Sequence, residues 1–420
     1  MNFDLDELRK ECSCGHKHNI AVKDLIIKSG ALKELGKMLK DGILSQYKHP
    51  LIICDENTLE ATKESIKDIL SLPRITLHPH NLHATNMVVD YVLEVIEPET
   101  DLILAIGSGT IHDISRYVAN ELKIEFVSCP TAASVDGFVS TVAAMTLNGM
   151  KKTTPAISPT YVVADTAILA KAPYRLTASG MSDLFGKYTS ICDWEIAHAI
   201  TGEYICKRVC NMELQAIEDV KECMDDLRSG NEEAYGKLIY ALLLSGLAIQ
   251  MIGNSRPASC AEHHCSHFWE MKVINGELGT YHGEQVGVGL LLVTKRYKEI
   301  LDVLKSGKYE IVAWEGMPLE RLKETYGKAG LYDAIIAENT PDLLTKITPE
   351  MIKKAIPEII KALEKLPSVE ELDALLKRGG CCRTVQDLGM TDEIIEPTLE
   401  LAPYVRQRLG FLRIAKMIKY

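Results

Sequence analysis

The chain has little that would carry it through a membrane or onto nucleic acid. Its 420 residues contain no long apolar run. The longest, Tyr240 to Gly253, is too short to span a bilayer and reads as a buried helix. The opening residues Met1-Asn2-Phe3-Asp4-Leu5-Asp6-Glu7 are acidic and lack the apolar stretch of an export signal, so a cytoplasmic location is expected. There is no stripe of lysine and arginine, and the formal net charge is -11, which argues against a nucleic-acid partner. Internal repeats and low-complexity tracts are missing. So are the metalloprotease pattern H-E-x-x-H and the dinucleotide fingerprint G-x-G-x-x-G. The 12 cysteines are dispersed through a long chain without an export signal, so reduced thiols are expected rather than disulfides.

What is present points to two domains, an α/β domain over residues 1–166 and an all-helical one over 167–420. Short apolar runs predict strands near Asp24–Lys28, Leu51–Cys54, Ile75–Leu77, Leu102–Ile106, Glu125–Cys129 and Tyr161–Ala164. Helical periodicity falls between them, near Ala31–Lys40, Thr58–Ile69, Thr85–Val95 and Ile111–Glu121. That alternation implies a mostly parallel, Rossmann-like sheet with helices on both faces. Val139 to Thr154 reads as a β-hairpin turning at Asn148-Gly149. Ala167 to Ser179 is the expected hinge, and from Leu176 onward the pattern is helical, including amphipathic helices at Pro349–Lys365 and Leu399–Lys419.

The run at Leu102–Ile106 stops at Gly107-Ser108-Gly109-Thr110 and passes into a helix carrying Asp113. A strand feeding a glycine turn and a helix N-terminus can cradle a pyrophosphate, because unpaired N–H groups and the helix dipole face the anion. A tight turn with no ligand has the same spacing. Asp55 ends the Leu51–Cys54 run, where ligands of open α/β sheets bind. Its carboxylate there could accept the hydroxyls of an adenine ribose and repel a 2′-phosphate, or simply cap the helix beginning at Glu56.

A second constellation lies in the helical half. Asp183, the cluster His263, His264 and His267, and His282 in Tyr-His-Gly-Glu supply one carboxylate and several imidazoles. Three such ligands leave a coordination position open, as a catalytic metal site requires. His263 and His267 stand four apart and share a helix face. A metal in one domain and a dinucleotide in the other suggest metal-assisted hydride transfer. By contrast, Cys12-Ser13-Cys14-Gly15-His16-Lys17-His18 holds four soft ligands in a spacing that is no standard zinc finger, and is expected to be an exposed, metal-scavenging turn rather than a functional site.

Five ordered motifs, I-G-S-G-T-I-H-D, C-P-T-A-A-S-V-D-G-F-V-S, G-M-S-D-L-F-G-K, R-P-A-S-C-A-E-H-H-C-S-H and Y-H-G-E-Q-V-G, resemble the sn-glycerol-1-phosphate dehydrogenase family. That family sits in the superfamily of glycerol dehydrogenase, iron-containing alcohol dehydrogenases and dehydroquinate synthase, so the resemblance implies a dehydroquinate synthase-like fold. It also implies NAD(P)H-dependent, reversible reduction of dihydroxyacetone phosphate to sn-glycerol 1-phosphate at a zinc or nickel site, making lipid backbones. By position, the resemblance assigns Asp183, His263 and His282 to the metal, with His264 a competitor for His263, and places His267 near the reacting oxygen. Gly107, Ser108, Gly109 and Asp113 match the pyrophosphate turn, Thr131 and Ser134 flank the nicotinamide, Asp55 matches the ribose position, and Asp136 contacts substrate.

A phosphorylated substrate needs cations. Arg256 is the first candidate for a bidentate contact, with Lys187, Lys151 and Lys152 near the same motifs; a structural ion pair is the competing role for Arg256. Glycerol dehydrogenase, acting on a neutral polyol, is the alternative activity. A catalytically silent nucleotide- or metal-binding protein is the alternative outside enzymes, and the intact Asp183, histidines and glycine turn speak against it. Dehydroquinate synthase itself is disfavoured, because a carboxylated phosphate calls for a denser set of basic residues. A homodimer is the default assembly.

Overall fold

The computed structural model of the chain describes residues 4–271 and 279–420. It divides into two compact units, Met1–Leu184 with Gln215–Asn254, and Phe185–Leu214 with Ser255–Tyr420.

The first unit carries the strands. They are β1 (Asp24–Lys28), β2 (Pro50–Asp55), β3 (Arg74–Leu77), β4 (Leu102–Gly107), β5 (Glu125–Pro130), a hairpin of β6 (Val142–Leu147) and β7 (Met150–Pro155), and β8 (Tyr161–Asp165). Six form one parallel sheet in the order β1-β8-β5-β4-β2-β3. β2 and β4 are buried along their whole length. Ile53, Ile103 and Ala105 enter one apolar cluster with Val89, Val92 and Ile114, while the alternating Ile52, Leu102 and Leu104 enter another with Leu32, Leu35 and Ile66. Burial of both faces is why these strands read as unbroken apolar runs. The hairpin turns where expected, with Asn148 at φ 51 and Gly149 at φ 81, the two positive values a type I′ turn needs.

The helices, in chain order, are α1 (Leu5–Arg9), α2 (Leu35–Lys40), α3 (Glu56–Thr62), α4 (Asn86–Val95), α5 (Gly109–Leu122), α6 (Thr166–Leu169), α7 (Tyr174–Phe185), α8 (Lys187–Thr201), α9 (Lys207–Arg228), α10 (Glu232–Ile252), α11 (Ala261–Glu270) and α12 (His282–Ser306). α10 is long and apolar enough to cross a membrane by composition, but 78% of its most apolar window is buried, as in a core helix. The remaining elements are mostly helical and include Pro349–Lys365 as expected. The expected helix over Leu399–Lys419 does not form. Ile395–Leu401 ends before Pro403, Gly410 is extended ahead of the short Phe411–Ile414, and Ile418–Lys419 pairs antiparallel with Glu310–Ile311. Proline without an N–H and extended glycine interrupt the ladder that amphipathic spacing alone suggests.

Sheet order positions the ligand end. β2 pairs outward with β3, and β4 pairs outward with β5, so the chain runs in opposite directions from the adjacent pair β2 and β4. Ile53 is in register with Ala105, so Asp55 and Gly107, two residues on, end neighbouring strands. The crevice outside such a reversal is where open α/β sheets bind ligands.

His112 locks the turn that follows. Its Nδ1 lies 2.8 Å from the Ser108 carbonyl, which can only accept, so Nδ1 carries the proton; Nε2 is 2.8 Å from Ser128 Oγ. Burial pushes this imidazole down to about 3, so it is neutral in the folded protein. Neutrality then stabilises the fold fully above the unfolded value of about 6.5, and that contribution is lost as pH falls from there towards about 3. In urea unfolding, the wild type is expected to lose about 2 kcal/mol more between pH 7 and pH 5 than His112→Asn does. Equal losses would show that His112 is already solvated or charged in the native state.

Candidate active site

In the sheet unit, three close approaches assemble the residues at the strand ends. The turn after β4 is tighter than the glycine spacing suggests: Gly107 closes the strand, Ser108 is the cap residue, and the helix begins at Gly109. A Cβ on Gly107 would stand 2.5 Å from Ile111, so packing alone demands glycine there. The stronger sign of an anion site is that α5, 14 residues long, has no side-chain cap, which leaves its first N–H groups facing outward. Thr131 N donates to the Gly107 carbonyl at 3.0 Å, tying the segment after β5 to this turn. Asp113 accepts from the buried Arg116 at 3.1 Å, and Arg116 also donates to the carbonyls of Gly137, Phe138 and Val142. Asp113 thus helps brace the segment after β5.

Asp55 does cap α3. Its Oδ1 accepts from Thr58 N at 2.9 Å, and Thr58 Oγ1 accepts from Asp55 N at 3.0 Å. Its Oδ2 makes no hydrogen bond among the described residues, so one carboxylate oxygen is left for another role. Lys151 and Lys152 lie on β7 of the hairpin.

Asp136 and Asp183 come together by backbone contact. Gly180 in α7 lies so close to the segment after β5 that a Cβ would stand 2.1 Å from the Ala133 carbonyl. Ser179 Oγ donates to the Ser134 carbonyl at 3.2 Å, and Asp183, one turn further along α7, accepts from Asp136 N at 2.9 Å. From α10, Gly246 makes the same kind of approach to the Asp136 carbonyl, and Ser245 Oγ donates to Asp136 Oδ2 at 2.9 Å. Asp183 is fully buried, and Thr131, Ser134 and Asp136 are nearly so.

In the helical unit, α11 and α12 are pressed together at Gly289, where a Cβ would stand 2.6 Å from the Glu262 carbonyl. That contact sets the N-terminal His282 of α12 against α11. The rings of His263, His267 and His282 lie 5.2 to 6.2 Å apart, centre to centre. Each Nδ1 meets a carboxylate: His263 with Glu262 at 2.7 Å, and His267 and His282 with the two oxygens of Glu270 at 3.3 and 2.9 Å. A carboxylate accepts, so the proton sits on Nδ1 and the lone pair on Nε2, the atom through which such an imidazole takes a metal or a proton. Burial alone would raise Glu262, but hydrogen bonds from His263, Cys260 N and Thr189 hold it below the ordinary value, as an anion. Burial lowers His267, and Arg406 lowers it further.

His264 stands outside this cluster. Its Nε2 is buried with no hydrogen-bond partner among the described residues, and burial with Arg408 and Arg406 holds it neutral. Helical neighbours point about 100° apart, so His263 faces His282 and His264 cannot.

Arg256, the first candidate for the phosphate, takes the competing role of a structural ion pair in this arrangement. Its Nε and Nη2 grip both oxygens of Glu203 at 2.8 and 2.7 Å, Nη2 also donates to the Leu409 carbonyl, and Nη1 faces Cys260. The guanidinium is buried in a structural ion pair. Arg406, which no sequence motif marks, is a cation beside the clustered histidines. Its Nη2 lies 3.4 Å from His267 Nε2, and its Nε is buried without a partner among the described residues. Burial pushes it down to about 10, which leaves it charged near neutral pH. Lys187, at the start of α8, is fully buried. Glu262 and Glu270 were also missed, although each sits within three residues of a cluster histidine and a carboxylate so placed is a usual partner for a ligating imidazole.

A model of the iron-containing alcohol dehydrogenases matches residues 26–173. The fold is that of the archaeal Red Sea brine pool alcohol dehydrogenase, with a TM-score of 0.59 at 15% identity over 97% of this chain and 98% of that one. The glycerol-1-phosphate dehydrogenase [NAD(P)+] of Thermococcus sibiricus is 35% identical over 306 residues, 69% of this chain and 86% of its own. That of Geobacillus thermodenitrificans is 31% identical over 419 residues, 97% of this chain and 96% of its own. A chain that matches such a relative from end to end belongs to its family, the glycerol-1-phosphate dehydrogenases.

Proposed function

We propose that this protein catalyses NAD(P)H-dependent, reversible reduction of dihydroxyacetone phosphate to sn-glycerol 1-phosphate. The observation that carries the reading is the end-to-end similarity to relatives named for that activity; the site chemistry supports it independently. Residues 1–166 hold the dinucleotide, and residues 167–420 supply the metal and substrate groups. Asp183, His263 and His282 hold one divalent ion, zinc or nickel as the family resemblance implies. The uncapped α5 N-terminus suits a pyrophosphate, and imidazoles with Nδ1 fixed on carboxylates suit a metal. When bound, the metal polarises a carbonyl and the nicotinamide supplies or takes a hydride.

The chain's own residues do the rest. Gly107, Ser108 and Gly109 receive the pyrophosphate, beside Asp113, which braces the segment after β5 through Arg116; Thr131 and Ser134 flank the nicotinamide, and the open oxygen of Asp55 meets the ribose. Asp136, oriented by Ser245 and by its backbone bond to Asp183, contacts the substrate. His267, with its proton fixed on the Glu270 side, offers Nε2 to the substrate oxygen's proton. The substrate phosphate meets Arg406, with Lys187 as a second cation, because Arg256 is committed to Glu203. A cytoplasmic homodimer is the assembly we expect.

Metal content measured on purified variants tests the ligands. Asp183→Asn and His263→Ala are expected to lose the ion with little change in fold, while His264→Ala and His267→Ala retain it. Loss in His267→Ala with retention in His263→Ala would move the site to His267, Glu270 and His282, whose ligand atoms lie within 4.8 Å of one another.

Substrate kinetics test the phosphate. Arg406→Ala is expected to raise KM for dihydroxyacetone phosphate roughly ten- to a hundred-fold, the loss of about 1.5–3 kcal/mol of charge-assisted contact, while turnover of dihydroxyacetone barely changes. Arg256→Ala lowers Tm instead. A wild type that prefers dihydroxyacetone would establish the glycerol dehydrogenase alternative.

Asp55→Ser separates its two roles, because serine also caps a helix. Stability should stay within about 0.5 kcal/mol while the NADH to NADPH preference moves towards NADPH. An unchanged preference would leave Asp55 with the cap alone.

A further inference from the structure

The segment Cys12 to His18, expected to be an exposed turn, is anchored. Gly15 N donates to the Cys12 carbonyl at 3.0 Å, and Gly15 takes φ 81, folding Cys-Ser-Cys-Gly into a turn. His18 is buried, at 1% exposure. Its Nδ1 is 2.7 Å from the carbonyl of Met251, one of the last carbonyls of α10 that have no partner within the helix. A carbonyl only accepts, so the proton is on Nδ1 and the Nε2 lone pair points the other way. There it meets Cys14 Sγ at 3.4 Å.

We propose that Cys12, Cys14 and His18 form a second metal site, selective for zinc, that fastens the N-terminal segment to the end of α10. Their ligand atoms lie within 4.8 Å of one another. A tetrahedral zinc with Zn–S of about 2.3 Å and Zn–N of about 2.0 Å sets ligand atoms about 3.5 Å apart across an S–N edge, close to the Cys14–His18 separation. The Met251 carbonyl does for His18 what an outer carboxylate does in many metal sites: it fixes the tautomer and the ring plane. Each thiol gives its proton to solvent as it binds, and a fourth donor completes the shell. Two thiolates and an imidazole are a softer set than a carboxylate and two imidazoles, so the two sites differ in the ions they prefer.

Cobalt distinguishes them. The proposed catalytic ligands include no thiolate, so a near-ultraviolet thiolate-to-cobalt absorption reports this site alone. Full-length, reduced protein titrated with cobalt should develop that band, and zinc should abolish it. Cys12→Ser/Cys14→Ser should lack the band while keeping its activity with dihydroxyacetone phosphate. His18→Ala, which removes the anchored ligand, should weaken zinc retention against a chromogenic chelator by on the order of a hundred-fold. The proposal is overturned if no band forms in the wild type, if it persists in the double variant, or if the wild type gives up zinc as readily as His18→Ala does.

Discussion

Close approach of backbones is the constraint on which both halves of the proposed chemistry depend. At Gly180 a helix lies against a carbonyl closer than any side chain permits, and at Gly289 a second helix does the same. Neither glycine needs an unusual φ; each is there for what it lacks. Pressing α7 onto the segment after β5 makes Asp183 an acceptor for Asp136 N, and pressing α12 onto α11 brings the His282 ring against His263 and His267. A methyl group at either position would force a shift of roughly half an ångström to one ångström, enough to spoil metal or proton chemistry.

Once brought together, the imidazoles are useful only in one tautomer. Glu262 and Glu270 decide it, and for Glu262 that means a fully buried carboxylate. Glu262 is sustained by three donors, His263, Cys260 N and Thr189, which together outweigh the burial that favours its neutral form. A buried anion so fully bonded is rigid, and the rigidity passes to the histidine it holds.

Much of this was legible in the chain, for reasons of range. Strands buried on both faces announce themselves by unbroken apolar runs, and Asn148-Gly149 can turn a hairpin in few other ways. The glycine turn, Asp183 and the histidines stand in short local patterns. What could not be read were pairings between distant residues. Arg256 and Arg406 look alike in sequence, and only their partners, Glu203 and Leu409 for one and His267 for the other, set one in a buried ion pair and the other beside the histidine cluster. The region after Leu399 failed for another reason: amphipathic spacing survives in a segment broken by Pro403 and Gly410, because burial periodicity and backbone continuity are separate requirements.

The charges show the same division between global and local. The chain is acidic, with a net charge of -11, which would disfavour a dianionic substrate if the field were uniform. Most of its surface ion pairs are exposed and contribute little. The cations that matter are removed from that average: Arg116 is fully buried against backbone carbonyls, Arg256 against Glu203, and Arg406 beside His267. Buried arginine stays charged even when desolvation lowers it, as lysine often does not, so it can hold a positive potential inside an acidic protein. Of the three, Arg406 alone combines a neighbouring cluster histidine with an unsatisfied Nε, and an unsatisfied buried donor is costly unless something accepts from it. A phosphate oxygen is the acceptor that the substrate would bring.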